Sequence, residues 1–323
     1  MQADLRRPVR SRAARRFIAN VRRALPYGLL VALCLATLAA ISLLIARIPQ
    51  WQASIASIKD AKDRVAAEND VFRNIIQVLG GAFFLLGVYF TWRNFHLAQE
   101  GQITQRFNDA IEHLGSEKAE VRLGGIYALA RIARDSPKDH SSVMRVFSTY
   151  VRETTRRTPA EPVAPEVQAI LTMIGRRTVE FETDDEPIDL SESYLPGVNL
   201  RGAQLERLNL DGANLARANL ERALLRGATL RGAALEDAFL RFADLRDTDL
   251  TGADLRQASM RDVLLDGANI FGAKLEGATL LRTNLSGVKN AIRKQIDDAM
   301  TDETTVLPVY GEVAEFSGVE DQV

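Results

Sequence analysis

A five-residue period governs residues 188–287. Every fifth position from Leu190 to Leu285 is apolar, which gives 20 consecutive positions, 18 of them leucine. The residue two places before each is small or apolar and is alanine in 13 of the 20 repeats, whereas the residue two places after is glycine in ten. The unit therefore reads A-x-L-x-G, often with Asn or Asp before the Leu.

This period excludes a helix and a flat sheet for the region. On an α-helix a step of five residues turns about 500°, so the leucines would scatter around the axis. In a flat strand an odd step alternates between faces. The leucines meet only if the chain turns a corner in each repeat. Ala and Leu then point inward from a short extended piece, and the Gly-rich step makes the corner, where a positive φ is inexpensive for glycine. The period thus predicts a stacked solenoid.

The A(N/D)LxG units of residues 188–287 resemble pentapeptide repeats. The resemblance implies a right-handed quadrilateral β-helix in which four repeats make one square coil. Twenty repeats would give about five coils of about 4.8 Å each, or a rod of roughly 24 Å. The resemblance predicts the fold but not the activity, because one fold serves many functions.

The chain before the repeats begins with a basic head, residues 1–25, which holds eight arginines against the single acid Asp4. A nucleic-acid-binding arm is one interpretation. The apolar run 27–48 that follows is long enough to span a bilayer and favours a cytoplasmic head by the positive-inside rule. A cleaved signal peptide competes, but the long head, the long apolar core and the poor cleavage site argue against it. A lipobox at Cys34 fails because Leu33 is not small.

A second apolar run covers residues 75–92, after a polar connection at 49–70 that carries no positive excess. The two runs predict a transmembrane hairpin, residues 26–93, with two spans and with both ends in the cytoplasm. Small residues suited to helix packing in lipid recur in both runs, although ordinary alanine usage explains the first set equally well. They are Ala32, Ala36, Ala40, Gly80, Gly81 and Gly87.

Residues 94–157 predict a helical adaptor with three amphipathic helices. Ile103, Phe107, Ile111 and Leu114 mark the first apolar face. Apolar residues from Val121 to Ala133, with Tyr127 among them, mark the second helix, and apolar residues from Val143 to Val151 mark the third. Gly124 and Gly125 inside the second helix weaken it unless a neighbour packs closely there.

The adaptor sequence carries two further resemblances. VRLGGIYALARIARDS resembles the inner part of a HEAT-type helical repeat. The longer run TWRNFHLAQEGQITQRFNDAIEHLGS…VRLGGIYALARIARDS resembles the segment before the repeats in bacterial membrane-anchored pentapeptide-repeat proteins. That group has no assigned biochemical function, so the resemblance implies architecture alone.

Capping segments are predicted on both sides of the solenoid, because solenoid ends need covers. Residues 158–187 read as a linker and a capping helix that begins at Pro165. Residues 288–323 read as a second capping helix, with Ile292, Ile296 and Met300 on one face, and an acidic tail. The chain beyond Lys294 has eight acids and no Lys or Arg.

The sequence shows no catalytic constellation. There is no phosphate-cradling loop, no Cys/His metal spacing and no nucleophile elbow, and the three histidines are scattered. We therefore expect a noncatalytic protein without cofactor or metal. The recurrent Asp and Asn residues occupy fixed repeat positions and are expected at the surface or the corners.

The charge of the solenoid disfavours imitation of DNA, the role of some pentapeptide-repeat proteins that protect topoisomerases. Residues 188–290 contain 14 acids and 13 bases. DNA carries one negative charge per about 1.7 Å of axis, which a near-neutral rod cannot imitate. No nucleic-acid partner is expected.

Two opposite faces of the predicted coil differ in charge. One face carries five arginines against Glu221 and Asp262, a net charge of +3, together with two outward phenylalanines. We name it the Arg/Phe face, and its candidate contact residues are Arg201, Arg222, Phe239, Arg241, Phe242, Arg261 and Arg282. The opposite face, here the acidic face, has a net charge of −3 and carries Asp189, Glu192, Asp211 and Asp249 against Arg231.

Exposed aromatic residues among arginines are typical of interaction sites. Stacked side chains can also simply hold the coils together. The sequence predicts a membrane-tethered interaction platform or scaffold whose Arg/Phe face binds an acidic cytoplasmic protein, the chain's own acidic tail or the anionic inner leaflet. The alternative is a regulatory or sensing subunit of an oligomeric membrane transport assembly. A homo-oligomer is compatible with either.

Overall fold

The computed structural model describes residues 36–37, 39, 42–43, 45–157, 162–182 and 187–308. The chain divides into two compact units, Met1–Gln102 and Ile103–Val323. The named helices are α1 (Ala61–Leu114), α2 (Ala119–Asp135), α3 (His140–Arg157), α4 (Pro165–Gly175) and α5 (Arg293–Asp297).

The first unit contains two helical stretches. Residues 45–56 are helical, and α1 starts at Ala61 after a break at residues 57–60. The Asp60 carboxylate accepts the backbone N–H of Lys62 at 2.9 Å, which satisfies one of the free donors at the start of α1. Much of the polar connection predicted at 49–70 is therefore helical in the structure.

The predicted first span at 27–48 lies mostly outside the described residues, and so do Ala32 and Ala40. Its described residues are helical, and Ala36 among them is exposed. The predicted second span lies within α1, which is long and apolar enough to cross a membrane and whose apolar stretch is not buried by the protein. It is the one helix in the described part of the chain with this property.

The glycines of α1 leave its surface open. A Cβ built on Gly80, Gly81 or Gly87 would meet no atom within 4 Å. The close helix packing expected at these positions therefore stays a prediction.

The second unit begins with a helical region in which α2, α3 and α4 pack together. Its core includes Leu129, Phe147 and Ile170, each fully buried. Gly125 is buried against the end of α1, where an added Cβ would lie 2.7 Å from the Ala110 carbonyl oxygen. Tyr127, one of the apolar residues that mark α2 in the sequence, lies on the helix but is 56% exposed. Its position on the helix falls outside the stripe that faces α3 and α4.

The repeats form stacked coils of 20 residues. Parallel bridges join residues 20 apart, from Asp189 with Asn209 to Asn269 with Lys289. All 20 inward positions are at most 4% exposed, and the residues two places before them are at most 8% exposed. The pairing occurs through isolated bridges rather than longer strands in the described residues, because a corner in each repeat leaves too little extended chain.

Helices α3 and α4 cover the first coil. The Gln168 side chain accepts the N–H of Asn199 and donates to its carbonyl oxygen, both at 2.9 Å. The Gly175 carbonyl oxygen accepts the N–H of Gln204 at 2.9 Å. Thr155 Oγ1 accepts the N–H of Tyr194 at 3.2 Å. These groups replace the hydrogen bonds that a preceding coil would make.

The other end of the solenoid is covered differently from the prediction. Helix α5 has five residues, and Ile296 is 3% exposed whereas Ile292 and Met300 are 48% and 56% exposed. The expected single apolar face is therefore wrong. Met300 and Val306 instead form parallel bridges, with Thr279 and Asn284 respectively. The last coil needs backbone partners, and here an extended segment supplies them.

Candidate interaction face

The corners of the coil position the outward side chains. The residue two places after each inward residue has a positive φ, from 55° at Glu192 to 75° at Gly267, with Gly287 as an exception among the repeats. The Asn or Asp before the inward residue supports the corner: Asn199 Oδ1 accepts the N–H of Arg201 at 3.2 Å. The same contact recurs in nine other repeats.

One corner of the Arg/Phe face is unusual. Phe242 has φ 60° and is 39% exposed. A positive φ is a genuine outlier for a bulky residue, and glycine occupies the same position in about half of the repeats. Among the described residues, Phe242 is the one apolar non-glycine residue with a positive φ. The solenoid itself does not need a phenylalanine there.

Two arginines flank this ring. The guanidinium carbons of Arg222 and Arg241 lie 5.7 and 5.6 Å from the Phe242 ring centroid, within cation–π range. Within the described chain, no carboxylate lies within ion-pair distance of either arginine. Phe239, in the same coil, is 51% exposed. The four residues form an exposed cationic and aromatic cluster, here the central cluster.

The two ends of the Arg/Phe face are compensated by its acids. Arg201 Nε lies 3.6 Å from a carboxylate oxygen of Glu221. Asp262 pairs with both Arg261 and Arg282, and its hydrogen bond raises the pKa of Arg282. The structure therefore leaves the uncompensated positive charge in the middle of the face. The sequence predicted the net charge but not this distribution.

The acidic face is partly occupied by the adaptor. Asp189 forms an ion pair with Arg152, and Glu192 Oε2 lies 2.6 Å from Arg156 Nη2. Arg152 and Arg156 are one helical turn apart on α3. Their spacing of four residues on a helix that precedes a coil with two acids could have predicted these ion pairs from the sequence, but sequence reasoning missed it. Two acids of this face thus fix the helices to the first coil.

Three further apolar residues point outward from the repeats. Phe271 is 61% exposed on the acidic face, and Leu224 and Leu264 are 38% and 51% exposed on the face that follows the Arg/Phe face. Each stands directly beside an inward residue, where most repeats carry a polar one. None of the three belongs to the contact residues predicted from the sequence.

Two carboxylates of the repeats have lowered pKa values. The hydrogen bond from Arg246 lowers the pKa of Asp244, and the one from Arg256 does the same for Asp254. In each case the arginine is two residues after the aspartate and donates through Nε and Nη2. These pairs stabilise corners.

A buried polar cluster lies in the helical region. His140 is 1% exposed, with Nδ1 3.0 Å from the Ala133 carbonyl oxygen and Nε2 4.0 Å from Glu182. Burial raises the pKa of Glu182, but His140 and Arg177 lower it more. Arg177 also donates to the Glu206 carbonyl oxygen at 3.0 Å, which joins the cluster to the first coil. No group of three or more metal-ligating residues occurs in the described chain.

Comparison with known proteins agrees with this geometry. The family model for pentapeptide repeats matches residues 188–222 and 223–262. A pentapeptide repeat protein from Nostoc PCC 7120 is 32% identical over 36% of this chain and 86% of its own, with a TM-score of 0.17. HetL from Nostoc sp. PCC 7120, involved in heterocyst differentiation regulation, is 30% identical over 37% of this chain and 68% of its own, with a TM-score of 0.15.

A third relative is a pentapeptide repeat protein from the thylakoid lumen of Arabidopsis thaliana. It is 28% identical over 26% of this chain, with a TM-score of 0.23, and the match spans 63% of its own length, less than two thirds. No curated protein matches the chain significantly. Given the family model and the 20-residue coils with buried leucines, the chain belongs to the pentapeptide-repeat family.

Proposed function

We propose that the protein is a noncatalytic, membrane-tethered interaction platform whose Arg/Phe face binds a cytoplasmic protein. The observation that carries the proposal is Phe242, which keeps an exposed ring at a strained corner where glycine would serve the fold better. Backbone strain of this kind concentrates at functional sites. The flanking Arg222 and Arg241 supply the charge and hydrogen-bond donors that an acidic partner surface would use.

The tether in this proposal is a hairpin with spans near 27–48 and 75–92 in a bacterial inner membrane, with both ends in the cytoplasm. The basic residues 1–25 and the absence of a positive excess at 49–70 support this orientation. The exposed apolar surface of α1 supports the second span, because a large apolar surface needs a lipid or protein environment.

Photo-crosslinking in cells tests the face. A photoreactive phenylalanine analogue replaces Phe242 in one variant and Phe271, an equally aromatic and more exposed residue on the acidic face, in the control. We expect a discrete protein adduct from position 242 and none of the same mass from position 271. Adducts only to lipid, or the same adduct from both positions, would contradict the proposal.

A second measurement separates binding from folding. The Phe239→Ala/Phe242→Ala double variant should lose the adduct formed from a photoreactive residue at position 241, while its far-ultraviolet circular dichroism spectrum stays that of the parent. Loss of the folded signal would show instead that the two rings hold the coils together.

A further inference from the structure

The central cluster leaves positive charge without a partner in the described chain. Arg222 and Arg241 contact the Phe242 ring, and no described carboxylate lies within ion-pair distance of either. The other arginines of the Arg/Phe face have acid partners at its two ends. A complementary ligand for the cluster would carry carboxylates and a ring or another apolar group.

The chain itself contains a segment with this chemistry. Residues 309–323, which lie outside the described residues, contain four acids and no Lys or Arg. Two aromatic residues, Tyr310 and Phe316, stand among them. The acids are Glu312, Glu315, Glu320 and Asp321.

The preceding segment already covers the end of the Arg/Phe face. Met300 bridges with Thr279, and Asp302 Oδ1 accepts the backbone N–H of Arg282 at 3.3 Å. Asp302 thus stands where the next repeat of the face would lie, and its own carboxylate is held by Thr304 and Thr305. The described chain stops at Pro308, shortly after Val306 has paired with Asn284 on the adjoining face.

The reach from this point is sufficient. Phe242 lies three coils below Asp302 in the stack, which is about 14 Å at a spacing of about 4.8 Å per coil. Fifteen extended residues span up to about 50 Å. The tail can therefore pass the corner and descend to the central cluster with residues to spare.

The distribution of charge favours the Arg/Phe face over the face that follows it as the binding site of the acidic tail. On the face that follows, Arg226 pairs with Asp247, and Arg246 pairs with Asp244. An acidic segment gains nothing from arginines that are already compensated. The uncompensated pair at the central cluster is the site that attracts it.

We propose that residues 309–323 fold back onto the central cluster and cover the Arg/Phe face from within the same chain. The inference rests on the proposed function for its biological meaning, because the tail then competes with the external partner. Exposed charges of this kind attract over about 10 Å at 0.1 M salt and much less at 1 M, so the docked state weakens as salt rises.

The test uses the purified full chain in detergent, without any partner. A photoreactive analogue at position 242 is irradiated, and the monomer band is digested and mapped by mass spectrometry. We expect a crosslink to a peptide within 309–323, with a yield that falls at least about threefold between about 0.1 and 1 M NaCl. The same loss is expected in the E312Q/E315Q/E320Q/D321N variant, which keeps both aromatic rings.

Several results would overturn the inference. One is that position 242 gives no crosslink to a tail peptide, and another is that the control position 271 gives the same yield of that crosslink. The inference also fails if neutralisation of the four acids leaves the yield unchanged, or if the crosslink joins two differently labelled chains. The two proposals fail separately. If cells give a partner adduct but the purified protein gives no tail adduct, only the proposal that the tail docks is refuted. If the purified protein gives a tail adduct but no partner adduct forms, even with the neutralised variant, the proposal of an external binding partner is refuted.

Discussion

At the scale of the residue, the corner position decides how each repeat turns and what it exposes. Glycine is the residue that adopts a positive φ without steric penalty, yet half of the repeats use another residue there. Most of these are charged or amide residues, which place a polar group in solvent. The solenoid therefore tolerates local strain at many corners, because each corner is held by the coils above and below it.

Gly232 offers a direct test of this strain. Its φ is 63° and a Cβ would meet no atom within 4 Å, so a substitution there reports the backbone penalty alone. We expect Gly232→Ala to lower the free energy of unfolding by about 1 kcal/mol, and Gly232→Asn to lower it less. Denaturant titration of the purified protein measures both, and an Ala variant as stable as the parent would contradict the assigned geometry.

Acid stability should depend on the two paired aspartates. Because the pKa values of Asp244 and Asp254 are lowered in the folded state, their contribution is present above the unfolded value of about 3.9 and is lost as pH falls below it. We expect the D244N/D254N variant to show a flatter loss of stability below about pH 4 than the parent.

Arg246 and Arg256, which donate the hydrogen bonds to the two aspartates, provide the control for this prediction. R246Q/R256Q removes the hydrogen-bond donors that lower the two pKa values, so its pH profile should flatten in the same range. Parallel profiles for all three proteins, measured by thermal unfolding, would refute the assignment of the acid sensitivity to these pairs.

At the scale of the element, glycine has opposite meanings at adjacent positions of α2. Gly125 lies against the backbone of α1, with 2.7 Å between an added Cβ and the Ala110 carbonyl oxygen. Gly124 has no atom within 4 Å of its added Cβ. The hydrophobic pattern predicts that the helix exists, but only the neighbouring helix decides which glycine is required.

The two alanine variants form a matched pair. Gly124→Ala should raise the free energy of unfolding by about 0.5–1 kcal/mol, because glycine weakens a helix interior. Gly125→Ala should lower it by about 1–3 kcal/mol, since α1 has to move away. Denaturation of both variants under one condition checks the sign, and equal effects would rule out the close α1–α2 contact.

At the scale of the whole molecule, two kinds of surface remain open in the described chain: the apolar length of α1 and the central cluster. The first fits a membrane by length and composition. The second fits an acidic ligand by charge. The proposed function uses both surfaces, the first as the tether and the second as the binding site.

Membrane association can be tested with charge substitutions in α1. We expect the full chain to remain in the membrane fraction after alkaline carbonate extraction. The F84R/V88R variant, which weakens the second span and leaves the first unchanged, should show a larger released fraction than the parent, since an arginine near a span centre costs about 2.5–3.5 kcal/mol. Asn69→Arg, in the polar start of the helix, serves as the control and should stay bound. Release of the parent chain by carbonate would refute the tether.

The sequence by itself determined the solenoid and its inward residues, because a five-residue period buries 20 apolar side chains together only if the chain turns a corner in every repeat. It also predicted the net charges of the two opposite faces. The tertiary structure decided which charges are compensated, since Arg152 and Arg156 reach the acidic face from a distant helix. It likewise decided how the ends are capped, because the partners of unpaired backbone groups depend on what lies next to them in space. The five-residue period carries no information about the charge pairing or about the caps.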